Sequence, residues 1–383
     1  MVRWIFEVKK IIQFVKKETV LTVAWVLALV SVFIVPPSKD YLGYIDLRSM
    51  GILWSLMVIM AALKENGLFE AIAEKLLEKT KVVWQLAAVL IFLCFFMSML
   101  ITNDVALITF VPFAIYILSK CNKKELMIPI IAFQTVAANL GSMLTPIGNP
   151  QNLYLYEESG MSVMEFIGLL APYTLITFVL LVLSIMLIKG KKEEVIDDDP
   201  IKEKDTTGWA TRRKKIAIYG IVFALSLCVV AHYVPYWVLI AVVLIVTFIL
   251  DKKMLVSIDY ALLFTFLGFF IFTGNLGRVE YVRNVLTELV GGREVGVGII
   301  ASQFISNVPA ALLLSSFTEN IPGLILGVNF GGLGTLIASM ASLISFKLLA
   351  HNYNELKGKY FIYFTVVNVV YLLFLVLGYV IIH

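Results

Sequence analysis

The chain has 383 residues, 60% of them hydrophobic and 15% charged, with a mean hydropathy of +0.92. Soluble domains hold roughly 45–50% apolar and 25% charged residues, so this composition excludes one and describes a polytopic membrane protein with room for about ten spans of roughly 20 residues. The net charge of +4 matters less than its placement, because loop Lys and Arg stay on the cytoplasmic side, and nothing in it points to nucleic acid.

Residues 1–18 set Trp4, Ile5, Val8, Ile11, Ile12 and Val15 on one helical stripe, with Lys9, Lys10, Lys16 and Lys17 around the rest. That pattern predicts an interfacial amphipathic helix on an anionic leaflet and a cytoplasmic N-terminus. No cleavable signal peptide is expected, since the stretch lacks a long apolar core. The first membrane repeat, 19–188, opens with a span from Thr19 to Val35 and returns from Met50 to Leu63. Asn66 to Thr80 keeps Leu68, Ile72 and Leu76 on one face and reads as a second interfacial helix. Apolar arms over Val83–Ile101 and Val105–Leu118 then flank Thr102-Asn103-Asp104, with lysines beyond both outer ends. They predict a re-entrant hairpin, although either arm is long enough to span. Leu126 to Tyr156, interrupted from Asn139 to Asn152, reads as one discontinuous span, and Phe166–Ile188 returns.

Residues 189–215 read as a cytoplasmic linker, with Asp197-Asp198-Asp199 inside it and Arg212-Arg213-Lys214-Lys215 at its end. The second repeat, 216–383, begins with an extra span from Ile216 to Tyr233 that inverts everything after it. Trp237–Leu250 then corresponds to the first span but runs the other way. Ala261–Thr273, an amphipathic piece from Gly277 to Glu288, arms around Ser306-Asn307, a broken span around Gly331 and a last span over Phe361–Ile382 follow. The expected fold is an all-α polytopic membrane protein of about 10–11 spans, two inverted-topology repeats with re-entrant hairpins and broken helices.

From Val82 to Ser119 the only charged residue is Asp104. A lone carboxylate in such a run lines something wetter than lipid. Ser306-Asn307-Val308-Pro309 forms a second break of the same character. At a constant offset, Asn139, Gly141, Thr145 and Ile147 fall on Asn329, Gly331, Thr335 and Ile337, an internal repeat. A broken helix in a membrane leaves backbone groups unpaired at several kcal/mol each, so four matched breaks point to a site.

Half-helix N-termini favour an anion, and opposing carbonyls suit sodium. Thr102, Asn103, Ser306 and Asn307 offer donors, and Asn139, Thr145, Asn149, Asn152, Thr335 and Ser339 extend the set. Pro146, Pro150 and Pro309 hold the unwound geometry, while Gly141, Gly148 and Gly331 admit a ligand to the backbone. The competing reading makes these packing glycines and helix-bridging hydroxyls. Asp104 has three open roles: ligating a cation, carrying the coupling proton, or capping its own arm. A sodium site would draw on Asn103, Asp104 and Asn307. No Lys or Arg lies in either broken region, so an anion would rest on dipoles and neutral donors. Cys94, Cys121 and Cys228 lack metal-ligand spacing, the histidines are scattered, and no ATPase motif is present. Neither a cofactor nor enzymatic activity is expected; the coupling ion is sodium or a proton.

At these motifs the chain resembles the ion transporter superfamily, which includes divalent anion/sodium symporters, citrate transporter-like permeases, arsenite permeases and a sodium/proton antiporter branch. Thr102-Asn103-Asp104 and Ser306-Asn307-Val308 sit where the symporters carry paired Ser-Asn-Thr motifs, and Thr145-Pro146-Ile147-Gly148 is similar to their Thr-Pro-Ile-Gly loop. Asp in the first motif and Val-Pro after the second Ser-Asn look more like the arsenite permease branch, which makes proton coupling more plausible. The resemblance implies a homodimer in the cell membrane and elevator-type movement of a transport domain. The expected function is ion-coupled symport or antiport of a small anion, a di/tricarboxylate or inorganic oxyanion. Arsenite or antimonite efflux and sodium/proton antiport are the alternatives.

Overall fold

The computed structural model describes residues 15, 18–78, 80–188 and 209–383. Apart from Val15 and Glu18, the predicted interfacial helix over 1–18 lies outside the described residues, as does the predicted linker up to 208. Among the described residues the chain is nearly all helix, with no strand, as an all-α polytopic membrane protein requires.

Helix α1, Thr19–Ile34, is uncharged and stops before Pro36-Pro37. The Asp46 carboxylate caps α2, Leu47–Glu65, by accepting from the amides of Arg48 and Ser49. Gly67, at φ 79°, turns the chain into the amphipathic α3, Leu68–Leu77, which buries Phe69, Ala73 and Leu77. Helices α4, Val83–Ile101, and α5, Asn103–Lys120, pack on each other across the first break. The broken span follows as α6, Met127–Ser142, and α7, Pro150–Ser159; α7 is started by Pro150 and by Asn149, whose side chain accepts from the Asn152 amide. A Ser162–Glu165 capping box opens α8, Val163–Leu187.

Helix α9, Trp209–Val230, begins ahead of the predicted Ile216, so the basic run from Arg212 to Lys215 rides on its first turns rather than in the linker. Next come α10, Tyr236–Leu250, the short α11, Met254–Ser257, and α12, Tyr260–Arg278, capped by Asp259 as α2 is by Asp46. The amphipathic α13, Glu280–Val290, leads to a second hairpin of α14, Glu294–Ile305, and α15, Asn307–Ser315. The second broken span is α16, Ile321–Gly331, and α17, Met340–Asn352, and α18, Lys357–Ile382, ends the chain.

Six helical stretches among the described residues are long and apolar enough to cross a membrane: α2, α4, α5, α8, α12 and Asn354–Ile382. Four shorter apolar helices accompany them, α1, α10, α14 and α16. The two hairpins differ here. Both arms of the first qualify as spans, whereas α14 and α15, with 12 and 9 residues, rise only about 18 and 13 Å against a hydrocarbon core of about 30 Å.

Each half packs a helix on the other. α1 lies on α12, close enough that a Cβ at Gly268 would stand 3.1 Å from the Ala24 Cβ, while α10 lies on α2 at Gly51. The same exchange surrounds the breaks: α5 packs on α17 and α15 on α7. Ser119 Oγ meets Tyr353 OH at 2.8 Å, and Ser315 Oγ meets Tyr154 OH at 2.9 Å.

Candidate functional site

Each hairpin breaks at a single residue. Thr102 adopts φ 62° and ψ 148°, and Ser306 φ 73° and ψ 154°. Only glycine visits this region freely; a side chain there costs about 1–3 kcal/mol and persists only where its surroundings hold it. The second arm of the first hairpin therefore starts at Asn103, not at the predicted Val105.

The hold comes from the broken spans, through matched contacts. The Asn103 amide donates to Gly148 O at 3.0 Å, and the Asn307 amide to Ala338 O at 2.9 Å. Each asparagine then folds its own Oδ1 onto the next amide, Asp104 N at 2.9 Å and Val308 N at 3.0 Å. These are the amides that the sequence reading offered to an anion. Protein acceptors already take these four, which leaves side chains as the principal ligand donors at the tips.

Buried amides and hydroxyls join the two broken spans. Asn139 Oδ1 accepts from Ser339 Oγ and Asn103 Nδ2, both at 3.1 Å, and its Nδ2 donates to Ser342 Oγ at 3.2 Å. In the other direction Asn329 Oδ1 accepts from Asn149 Nδ2 at 3.3 Å, and Asn329 Nδ2 donates to Asn152 Oδ1 at 2.7 Å. Asn139 Nδ2 also reaches Gly332 O at 3.5 Å, and Gly332 sits beside Asn307. A continuous contact path thus runs from the first tip to the second.

The remaining predicted residues divide. Asn149 and Asn152 are in the network; Ser306 Oγ lies 3.4 Å from Asn307 Oδ1 and donates to Ala338 O at 3.5 Å, which ties it to the loop of the second broken span. Thr145 donates to Met99 O and Thr335 to Gln303 O, tying each loop to its hairpin arm rather than lining the junction. Pro146 and Pro309 are buried, with Pro309 in the first turn of α15, where no amide is needed. A Cβ on Gly141 would stand 2.2 Å from Phe95 O, one on Gly331 2.5 Å from Ser302 Oγ, and one on Gly148 2.0 Å from Ser142 O. What these glycines admit is neighbouring protein, the packing reading.

Three tip groups make no hydrogen bond or ion pair among the described residues: the Thr102 hydroxyl, the Asp104 carboxylate and Asn307 Nδ2. Asp104 is half-buried on the first turn of α5 and accepts from no backbone amide, which removes the capping role. Sequence reasoning missed Gln303, Asn329, Ser142 and Ser342. Gln303 Nε2 donates to Gly331 O at 2.9 Å and Leu333 O at 3.0 Å while its Oε1 accepts from Thr335 N, closing the second loop. The repeat alignment itself held the signal for Asn329, which it pairs with Asn139.

Helices of membrane-spanning length, interrupted in matched pairs around an unpaired carboxylate, define a multi-pass membrane transporter. The model of the citrate transporter family matches residues 1–323, and the chain belongs to that family. It is 33% identical over 336 residues to the uncharacterized transporter MJ0456 of Methanocaldococcus jannaschii, covering 87% of this chain and 89% of the relative. It is 30% identical to the inner membrane protein YbiR of Escherichia coli, over 82% of this chain and 84% of that one. A shorter match, 30% identity over 139 residues, links 36% of the chain to 28% of the silicon efflux transporter LSI3 of Oryza sativa.

Proposed function

We propose that the protein is an ion-coupled secondary transporter for a small oxygen-rich solute, a carboxylate or inorganic oxyanion, with its site where the two hairpin tips meet the two broken spans. The observation that carries this reading is the set of three unpaired tip groups beside a junction held by the Asn139 and Asn329 hydrogen bonds. Asp104 supplies a negative charge for a sodium ion or proton, with Asn103 beside it. Thr102 Oγ1 and Asn307 Nδ2 supply neutral donors for the solute's oxygens. The remaining predicted residues shape the site by holding the tips.

A neutral hydroxide, of the arsenite type, is the second reading; it is favoured by the lack of any Lys or Arg in the breaks and by the silicon efflux relative. Inverted repeats, a homodimer and an elevator-type movement in a cell membrane with the N-terminus inside complete the proposal, resting on the family resemblance and the lysine placement.

Proteoliposomes test it. An imposed sodium or pH gradient is expected to drive uptake of one labelled carboxylate, oxyanion or hydroxide, and Asp104→Asn should abolish the dependence on the gradient. Gradient-driven uptake that survives in Asp104→Asn would remove the coupling role from this residue.

A further inference from the structure

We propose that the groove between α3 and the start of α9 holds one anionic phospholipid, at a site separate from the transport junction. The groove has a volume of about 310 Å³, with Leu68, Ala71 and Ile72 of α3 on one wall and Ile216 of α9 on the other. Two cations share it, Lys75 from α3 and Arg213 from α9. Neither makes an ion pair or side-chain hydrogen bond among the described residues. Lys215, two residues on and on another side of the helix, is by contrast tied to Asp251 and to Leu250 O.

The guanidinium fork and the ammonium complement a phosphate diester, and the apolar walls complement an acyl chain. Farther along α9, Ile218 and Ile221 are exposed, apolar surface of the kind that a bilayer covers. A free phosphate would leave the walls bare, and a polar peptide would place its backbone against them without partners. A lipid satisfies both ends at once. Basic side chains at a membrane surface each strengthen binding of anionic lipid, which sets the expected preference.

The full-length protein in neutral detergent is given equal amounts of phosphatidylglycerol and phosphatidylcholine, and bound lipid is read by native mass spectrometry. Wild type is expected to favour phosphatidylglycerol on the order of tenfold. Lys75→Gln combined with Arg213→Gln should bring the ratio near one; both side chains are exposed, so the fold should tolerate the change. Lys252→Gln, which removes a charge stacked 4.1 Å over the Phe248 ring, should leave the preference intact. Ala71→Trp fills the groove without altering charge and should lower retention of both lipids. Inorganic phosphate at matched concentration should displace neither. Equal retention of the two lipids by wild type, a preference that survives both groove variants, or displacement by phosphate overturns the proposal.

Discussion

The two breaks share a backbone and divide the chemistry. At the first, Asn152 reaches from α7 to collect the carbonyls of Met143 at 3.0 Å and Thr145 at 3.2 Å, so the loop is closed by the helix that follows it. At the second, Ser342 stands at the matching position and is too short. Gln303 does the closing from the hairpin arm, where the first half carries Met99. Both loops are tied to their hairpins, but only the second takes a hairpin side chain for its closure. The free groups differ as well: Asn103 Nδ2 is spent on Asn139 and leaves Asp104 alone, whereas Asn307 Nδ2 is unspent beside uncharged neighbours. Matching backbone is enforced by the energy of a broken helix, and side chains are free to specialise into a charged tip and a donor tip.

The severest test of this comparison removes Asn329. Asn329→Leu strips a donor from Asn152 Oδ1 and an acceptor from Asn149 Nδ2, both buried. Thermal or chemical denaturation should show a loss of about 2–4 kcal/mol. Gln303→Leu comes next, at about 1–3 kcal/mol for the carbonyls and amide it abandons, while Met99→Leu at the matching position should stay below about 1.5 kcal/mol. Equal losses from the two would dissolve the asymmetry.

Smaller still is the strain at the tips. Thr102→Gly and Ser306→Gly should each raise stability by about 1 kcal/mol, the relief of a forbidden backbone less the added freedom of the unfolded chain. Lowered stability in either would mean that the side chain holds more than its strain consumes.

The smallest effect concerns the loop between α1 and α2. Arg278 donates to Asp40 at 2.6 Å, and that bond, followed by one from Ser38, holds the Asp40 carboxyl below its ordinary 3.8. A depressed carboxyl stabilises the fold above the unfolded value and loses its contribution as pH falls through the folded one. The pair is exposed, so melting curves of wild type and Asp40→Asn should differ slightly at neutral pH and converge only below pH 3.8. A gap that persists under those acid conditions would point to a role other than charge.

Much of this was legible in the residue order. Prolines, polar breaks and apolar runs located every helix pair, because a helix must end where its backbone can no longer be satisfied; α4, for example, occupies the predicted Val83–Ile101. Asp104 stood out because charge in an apolar run is costly. The roles of Gln303 and Ser342 were not legible, because each is defined by a partner brought near in space. Gly141 and Gly331 show the same limit: a missing side chain marks a close approach without naming what approaches, and here it is α4 and α14. The amides of Asn103 and Asn307 looked free along the chain and are consumed by loops that follow many residues later.

The central claim is that the unpaired tip groups bind the transported solute. The measurement that tests it most directly is a thermal-shift screen of the purified protein against citrate, succinate, sulfate, phosphate and arsenite, with and without sodium at two pH values. Wild type, Asn307→Ala and Asp104→Asn would be run side by side. A ligand that binds the folded state raises the melting temperature by mass action. One solute should shift wild type, the shift should shrink in Asn307→Ala, and its sodium or pH dependence should vanish in Asp104→Asn. An undiminished shift in both variants, with the same ion dependence, would place the binding site elsewhere and contradict the account.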